Sequence, residues 1–234
     1  MPTTPADLDV LFEDNHLIAV NKRPSDIVQG DKTGDEPLSE VVQRWLAQKY
    51  EKPGKAFIGV IHRLDRPVSG VVLFGKTSKG LSRMSDLFRK KEVQKTYWAT
   101  VYRAPESITG SLEDFLVKDA SKNKSRVTGK KTPGAKESKL TYQMIGESDK
   151  FFFLEVKPQT GRHHQIRVQL AAMGCIIKGD LKYGAPRSNK DASIHLHARS
   201  ISFTHPVTKK PLVITAEPPE DPVWNALMEI KQPK

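Results

Sequence analysis

Residues 71–74, Val-Val-Leu-Phe, form an unbroken apolar run of β-branched and aromatic side chains. Such a run predicts a buried strand. What precedes it constrains the chain further. The segment Ile61-His62-Arg63-Leu64-Asp65-Arg66-Pro67-Val68-Ser69-Gly70 enters that strand through Arg66-Pro67 and Ser69-Gly70, both turn-forming pairs. A strand that must be buried therefore starts directly after a loop that presents Asp65. Arg63 and Arg66 flank the carboxylate, and cations so placed favour its charged form. On charge spacing alone, a surface salt bridge in a turn is the better reading.

The same run also decides a rival motif. Gly70–Thr77 matches the phosphate-cradling pattern Gly-x4-Gly-Lys-Thr. That loop needs backbone N–H groups free to curl round a phosphate. Here the four intervening residues are the strand itself, so their N–H groups go to a sheet and nucleotide hydrolysis is set aside.

Around this centre the chain alternates strands and helices. Residues 8–13 and 17–21 predict two strands about Asp14-Asn15, and the polar segment Gln29–Glu36 a loop. Pro37 fits the first position of a helix whose Leu38, Val41, Val42, Trp45 and Leu46 recur at helical spacing and face the core. After the strand at 71–75, Leu81, Met84, Leu87 and Phe88 form a second helical stripe. Arg89-Lys90-Lys91 follows at its C-terminal end, where cations suit the helix dipole. Lys95–Val101, 138–146 and 151–157 predict strands. Thr160 can cap a helix that Gly174 ends. Residues 194–215 predict a hairpin, and a short helix starts at Asp221.

Basic residues outnumber acidic ones, 38 to 27, for a net charge of +11 and a pI near 9.6. This points first to nucleic acid as a partner and second to an anionic membrane surface. Lys122–Lys139 holds seven basic residues and one acidic, Glu137, with almost no large apolar side chain. It predicts a mobile loop able to touch phosphates or simply to stay solvated. No apolar run approaches the roughly 20 residues of a membrane span. Met1–Asp7 lacks the basic and apolar segments of a secretory signal. The single Cys175, within an apolar run, fits a core position and a reducing, cytoplasmic setting. His163-His164 and His195-x-His197 invite a metal reading, but no carboxylate or cysteine completes a ligand set. They are expected to be buried or RNA-facing, with no metal.

Several further stretches carry a resemblance. They are Lys95-Thr96-Tyr97-x-Ala99, Thr160-Gly161-Arg162-x-His164-Gln165-Ile166-Arg167-x-x-Leu170, Gly179-Asp180-x-x-Tyr183-Gly184 and Leu196-His197-Ala198 with Phe203-x-His205-Pro206. With His62-Arg63-Leu64-Asp65 and Ser69-Gly70, they make the chain resemble the RluA-type pseudouridine synthases over about residues 8–218. Asn21-Lys22-Arg23-Pro24 departs from the family's Asn-Lys-Pro opening by the inserted Arg23.

The resemblance implies an α+β fold: a mixed, mostly antiparallel sheet with flanking helices round a central RNA cleft. It implies one catalytic domain over residues 1–234, with no room for the extra N-terminal RNA-binding module of many relatives. The implied activity is isomerisation of specific uridines in ribosomal or transfer RNA to pseudouridine, by a monomer in the cytoplasm. Asp65 starts the reaction as nucleophile or as base. Arg167 pairs with Asp65, Tyr97 lies against the base, and the target uridine is flipped out of its stack. Arg63 enters the gap left behind, and His62, Arg66, Arg162, His163 and Ile166 complete the implied substrate-binding set. The isomerisation gains no atom, so neither cofactor nor metal is required. The alternative is a non-catalytic RNA-binding or ribosome-assembly module of the same fold.

Overall fold

The run at 71–74 lies inside a seven-residue strand, all of it buried, in a computed structural model that describes residues 2–231. Met1 and Gln232–Lys234, part of the span 1–234 and of the N-terminal reading above, lie outside the described residues. The elements begin β1 (Val10–Glu13), β2 (Leu17–Lys22), α1 (Leu38–Lys49), β3 (Gly59–Val60), β4 (Ser69–Gly75) and α2 (Ser78–Arg89). They continue β5 (Gln94–Val101), β6 (Thr109–Asp119), β7 (Lys124–Thr128), β8 (Lys136–Glu147), β9 (Phe152–Pro158) and α3 (Gln165–Ala172). The last are β10 (Leu196–Thr204), β11 (Pro211–Thr215) and α4 (Pro222–Lys231). Strands and helices in this order make an α+β fold.

The chain divides into two compact units. The first takes the residues up to Val93 with Ala198–Pro218, and the second takes Gln94–His197 with the residues from Pro219.

In the first unit, β2 pairs antiparallel with β1 on one side and β4 on the other, with Ala19 opposite Leu73 and Lys22 opposite Gly70. β11 pairs antiparallel with β10. Leu17, Ala19, Val71 and Leu73 point to one core with Met84 of α2 and with Ile201 and Phe203 of β10. α1 buries Leu38, Val41, Val42 and Leu46 as its spacing predicts. Pro37 is the residue before the first helical position, not the first itself. Trp45 is only half-buried, and the Lys49 ammonium lies 4.7 Å from its ring centre.

In the second unit the strand order is β5-β9-β8-β6-β7, and all these pairings are antiparallel. α3 packs Val168 against Leu116 and Tyr183, with Val127 of β7 beside them. α4 packs Trp224 and Leu227 on Trp98 and Phe153.

Two expectations fail locally. Lys122–Lys139 is not one irregular loop: it holds β7 and the start of β8, which pair with opposite edges of β6, from Phe115–Thr128 to Asp119–Lys124 and from Glu113–Lys139 to Leu116–Lys136, and only residues 122–123 and 129–135 lie outside the strands. A small residue, Ser125, supplies the buried side of β7, giving its N–H to the Tyr183 hydroxyl at 2.9 Å. Thr160 does not cap α3. That helix begins at Gln165, with His164 before it in the left-handed region at φ 55°. The Thr160 hydroxyl instead donates to Gln165 Oε1 at 2.8 Å and accepts the Lys139 N–H at 2.9 Å. Gly174, at φ +85°, ends the helix as predicted.

Candidate active site

The Asp65 loop of the first unit is held from below by Lys22. This lysine ends β2 and is 1% exposed. Its Nζ donates to three backbone carbonyls, those of Arg23 at 2.8 Å, Arg66 at 3.0 Å and Val68 at 2.7 Å. Three acceptors match the three donors of a charged ammonium. Burial brings Lys22 down to about 7, while the nearby Asp26 and Asp65 carboxylates favour its charged form. The loop closes as a β-turn, with the Val68 N–H donating to the Asp65 carbonyl at 3.0 Å. Aspartate is well suited to the first position of such a turn. Gly70 follows at φ +114°, where a Cβ would strike the backbone of Ala198. Only glycine combines that backbone conformation with that close approach.

The flanking residues divide the work. Arg63 is exposed and has no hydrogen bond or ion pair to any described residue. The salt bridge that would make it a brace is therefore missing. Arg66 turns its guanidinium to the loop at 33–35, donating to Asp35 Oδ2 at 2.6 Å and Thr33 Oγ1 at 2.8 Å. The His62 ring accepts the Leu73 N–H on Nε2 at 3.1 Å and stacks on Phe88, 5.2 Å between centres. That acceptor role requires an Nε2 without a proton.

In the second unit, Arg167 is clamped by Asp180. Nε meets Oδ2 at 2.7 Å and Nη2 meets Oδ1 at 2.8 Å. The side chains are 5% and 1% exposed. The Tyr183 ring lies under the guanidinium, 5.2 Å from its carbon. The Tyr183 hydroxyl contacts His164 Nδ1 at 2.9 Å and donates to the Ser125 carbonyl at 3.2 Å. His163 stacks on His164 at 3.8 Å and contacts Ser125 Oγ at 2.9 Å and Asn123 Oδ1 at 3.1 Å through its two ring nitrogens. Burial first, and then the Arg167 charge, brings His164 down to about 2, so it is neutral. Arg162 is exposed, with Nε donating to the Glu137 carbonyl at 2.8 Å. Ile166 is a buried residue of α3. Tyr97 is half-buried on β5, opposite Val156 of β9.

Three residues in these arrangements carried no assigned role in the sequence reading: Lys22, Asp180 and Tyr183. Their motifs were visible, as Asn-Lys and as Gly-Asp-x-x-Tyr-Gly. Nothing in the spacing shows that a lysine reaches three carbonyls 1, 44 and 46 residues away. Among the described residues no helix is long and apolar enough to cross a membrane.

A family model described as RNA pseudouridylate synthase matches residues 16–172, more than half of the chain, including Asp65, Tyr97 and Arg167. The chain belongs to the RNA pseudouridylate synthase family. Ribosomal large subunit pseudouridine synthase C of Vibrio vulnificus is 30% identical over 213 residues, which are 88% of this chain and 64% of that protein. tRNA pseudouridine synthase C of Vibrio cholerae is 28% identical over 239 residues, 94% of each chain. The solved structure of human RNA pseudouridylate synthase domain containing 4 has a TM-score of 0.78 and 22% identity, covering 95% of this chain and 92% of that one. It has the same fold. The family match stops short of Asp180 and Tyr183, which hold the matched Arg167 in place.

Proposed function

We propose that this chain is an RNA pseudouridine synthase that converts specific uridines of ribosomal or transfer RNA to pseudouridine, acting as a single catalytic domain and a monomer in the cytoplasm. The observation that carries the reading is Asp65. It sits in the segment the family shares, on a turn whose carbonyls are held by a buried lysine.

The chemistry asks little of the protein beyond one carboxylate and precise positioning. The N1–C1′ bond breaks, the uracil turns, and a C5–C1′ bond forms. The C5 hydrogen leaves and N1 regains a proton, so the product is an isomer. In this reading Asp65 begins the reaction, as nucleophile or as base. Arg167, its guanidinium already oriented by Asp180, pairs with Asp65 as the resemblance implies. Tyr97 stacks on the uracil. The uridine must leave its stack to be reached. Arg63 suits the gap it leaves, because an exposed guanidinium without a partner among the described residues can stack and hydrogen-bond there. His62, Arg66, Arg162, His163 and Ile166 support this set: His62 and Arg66 by fixing the loop, and His163 and Ile166 by fixing the start of α3. Arg162 offers an exposed cation to the RNA.

The names of the relatives support both RNA classes, one ribosomal and one transfer. Pseudouridine mapping of total RNA from cells with and without this chain tests the reading. Sites should disappear from one of these classes when the chain is absent. Identical maps would overturn the proposal.

A further inference from the structure

Lys95 is a cation without a counterion among the described residues. It stands on β5 two residues before Tyr97, so the two side chains share one face of the strand. The side chain is half-buried and has no hydrogen bond or ion pair to any described residue. Burial lowers its pKa, and no neighbouring carboxylate acts the other way. A desolvated ammonium is costly unless something pairs with it.

The space beside it is open. Lys95 Nζ lies 3.9 Å from where a Cβ on Gly161 would sit, and no other residue beyond the adjacent Thr160 and Arg162 comes within 4 Å of that point among the described residues. Gly161 is exposed, and its backbone N–H has no acceptor among the described residues. The rest of that turn is committed. The Arg162 N–H donates to Gln165 Oε1 at 3.0 Å, and the Thr160 hydroxyl donates to the same oxygen at 2.8 Å. The ammonium thus stands beside Gly161, whose own N–H lies one bond from the Cα that would carry that Cβ. Both donate, and neither is answered by any described residue. Their common partner is an anion small enough to enter over a glycine, with oxygens to accept from both.

We propose that Lys95 and the Gly161 N–H bind one phosphodiester group of the RNA strand that carries the target uridine. The identification of the anion as RNA phosphate rests on the pseudouridine synthase reading. The placement beside Tyr97 assigns this phosphate to the strand near the target base. Its contribution is to anchor the backbone on one side while the base is turned.

The test reads binding and needs no turnover, so it stands apart from the catalytic claim. The probe is a fluorescent single-stranded oligouridylate, titrated with intact protein over a range of potassium chloride concentrations. Parent, Lys95→Met, Lys95→Arg and Gly161→Ala are compared, with folding checked by circular dichroism. Losing one phosphate contact should reduce the slope of log Kd against log salt by roughly 0.7 in Lys95→Met. Lys95→Arg should restore the slope. Gly161→Ala keeps every charge but fills the open place, and it should weaken binding and shift the slope in the same direction. Should Lys95→Met misfold, Gly161→Ala alone decides, since Gly161 is exposed with room for a methyl group. A parental slope in Lys95→Met overturns the proposal. So does a changed slope in Lys95→Met with Gly161→Ala at the parental value, which would reduce Lys95 to diffuse charge. A parent that binds as expected yet makes no pseudouridine in any RNA would overturn the catalytic reading and leave this site standing.

Discussion

Replacing Asp180 by Asn should cost far more than the loss of a surface ion pair. The carboxylate makes two hydrogen bonds to Arg167, at 2.7 and 2.8 Å, and both side chains are almost wholly buried. Asn keeps the shape but supplies one oxygen. Its amide would turn N–H groups towards the guanidinium's own N–H groups. Neutralising one member of a buried pair leaves the other charge uncompensated, at a cost of about 3–5 kcal/mol. For a chain of this size each kcal/mol moves Tm by about 2–4 °C. The expected fall is therefore about 6–20 °C, read by thermal unfolding in circular dichroism and by denaturant titration at pH 7. The double variant Arg167→Met with Asp180→Leu removes both charges. It should recover much of the loss, because apolar replacement of a whole buried pair is often neutral. It should recover no activity, because Arg167 is also assigned to Asp65. An Asp180→Asn variant within about 1 kcal/mol of the parent, the range of exposed pairs, would refute the claim that this clamp fixes Arg167.

Three further outcomes are expected. His164 and His195 are held down to about 2 and about 4, in both cases chiefly by burial. The unfolded chain protonates these rings below about pH 6.5 while the folded one does not, so stability is full above that pH and falls as it drops, by about 1.4 kcal/mol per unit for each ring. The loss from His195 ends near pH 4. Denaturant midpoints at pH 7 and pH 5 should show this loss in the parent and a smaller one in His195→Asn; equal losses would contradict it. In the basic segment at 122–139, Lys122, Arg126, Lys130, Lys131 and Lys136 are exposed and have no ion pair to described residues. Changing Lys130, Lys131 and Lys136 to Gln should flatten the salt dependence of RNA binding by about 2 if all three touch single-stranded phosphate, at roughly 0.7 each, and an unchanged slope would show that they are merely solvated. Arg63→Ala should slow single-turnover conversion most on a structured RNA whose uridine is stacked, and least on one whose uridine is already splayed out. Equal losses would make Arg63 a structural residue.

What was legible in the sequence is what a local pattern can carry. The apolar run at 71–74, the stripe through Leu38, Val41, Val42 and Leu46, and the turn at Asp65–Val68 each announce themselves within a dozen residues. Each is found where the pattern puts it. The segment at 122–139 misled because charge dominates its composition. What makes β7 a strand there is a register with β6 and a buried serine bonded to Tyr183, 58 residues away. The start of α3 misled for a related reason. Thr160 has the chemistry of a helix cap, but Lys139 and Gln165 both compete for its hydroxyl and win. Lys22 and Asp180 follow the same rule. A buried charge is meaningful only through its partners, and those partners are chosen by the fold.

The central claim is that Asp65 makes pseudouridine. Release of tritium from RNA labelled at C5 of uridine measures the reaction directly, because forming the C5–C1′ bond expels that hydrogen. The RNA should come from cells lacking the chain, so that its target uridines are still unmodified. Asp65→Asn preserves the shape of the side chain and removes its charge. The parent should release tritium and Asp65→Asn should release none, while both bind the RNA with similar affinity and melt at similar temperatures. Turnover by Asp65→Asn within tenfold of the parent would contradict the account.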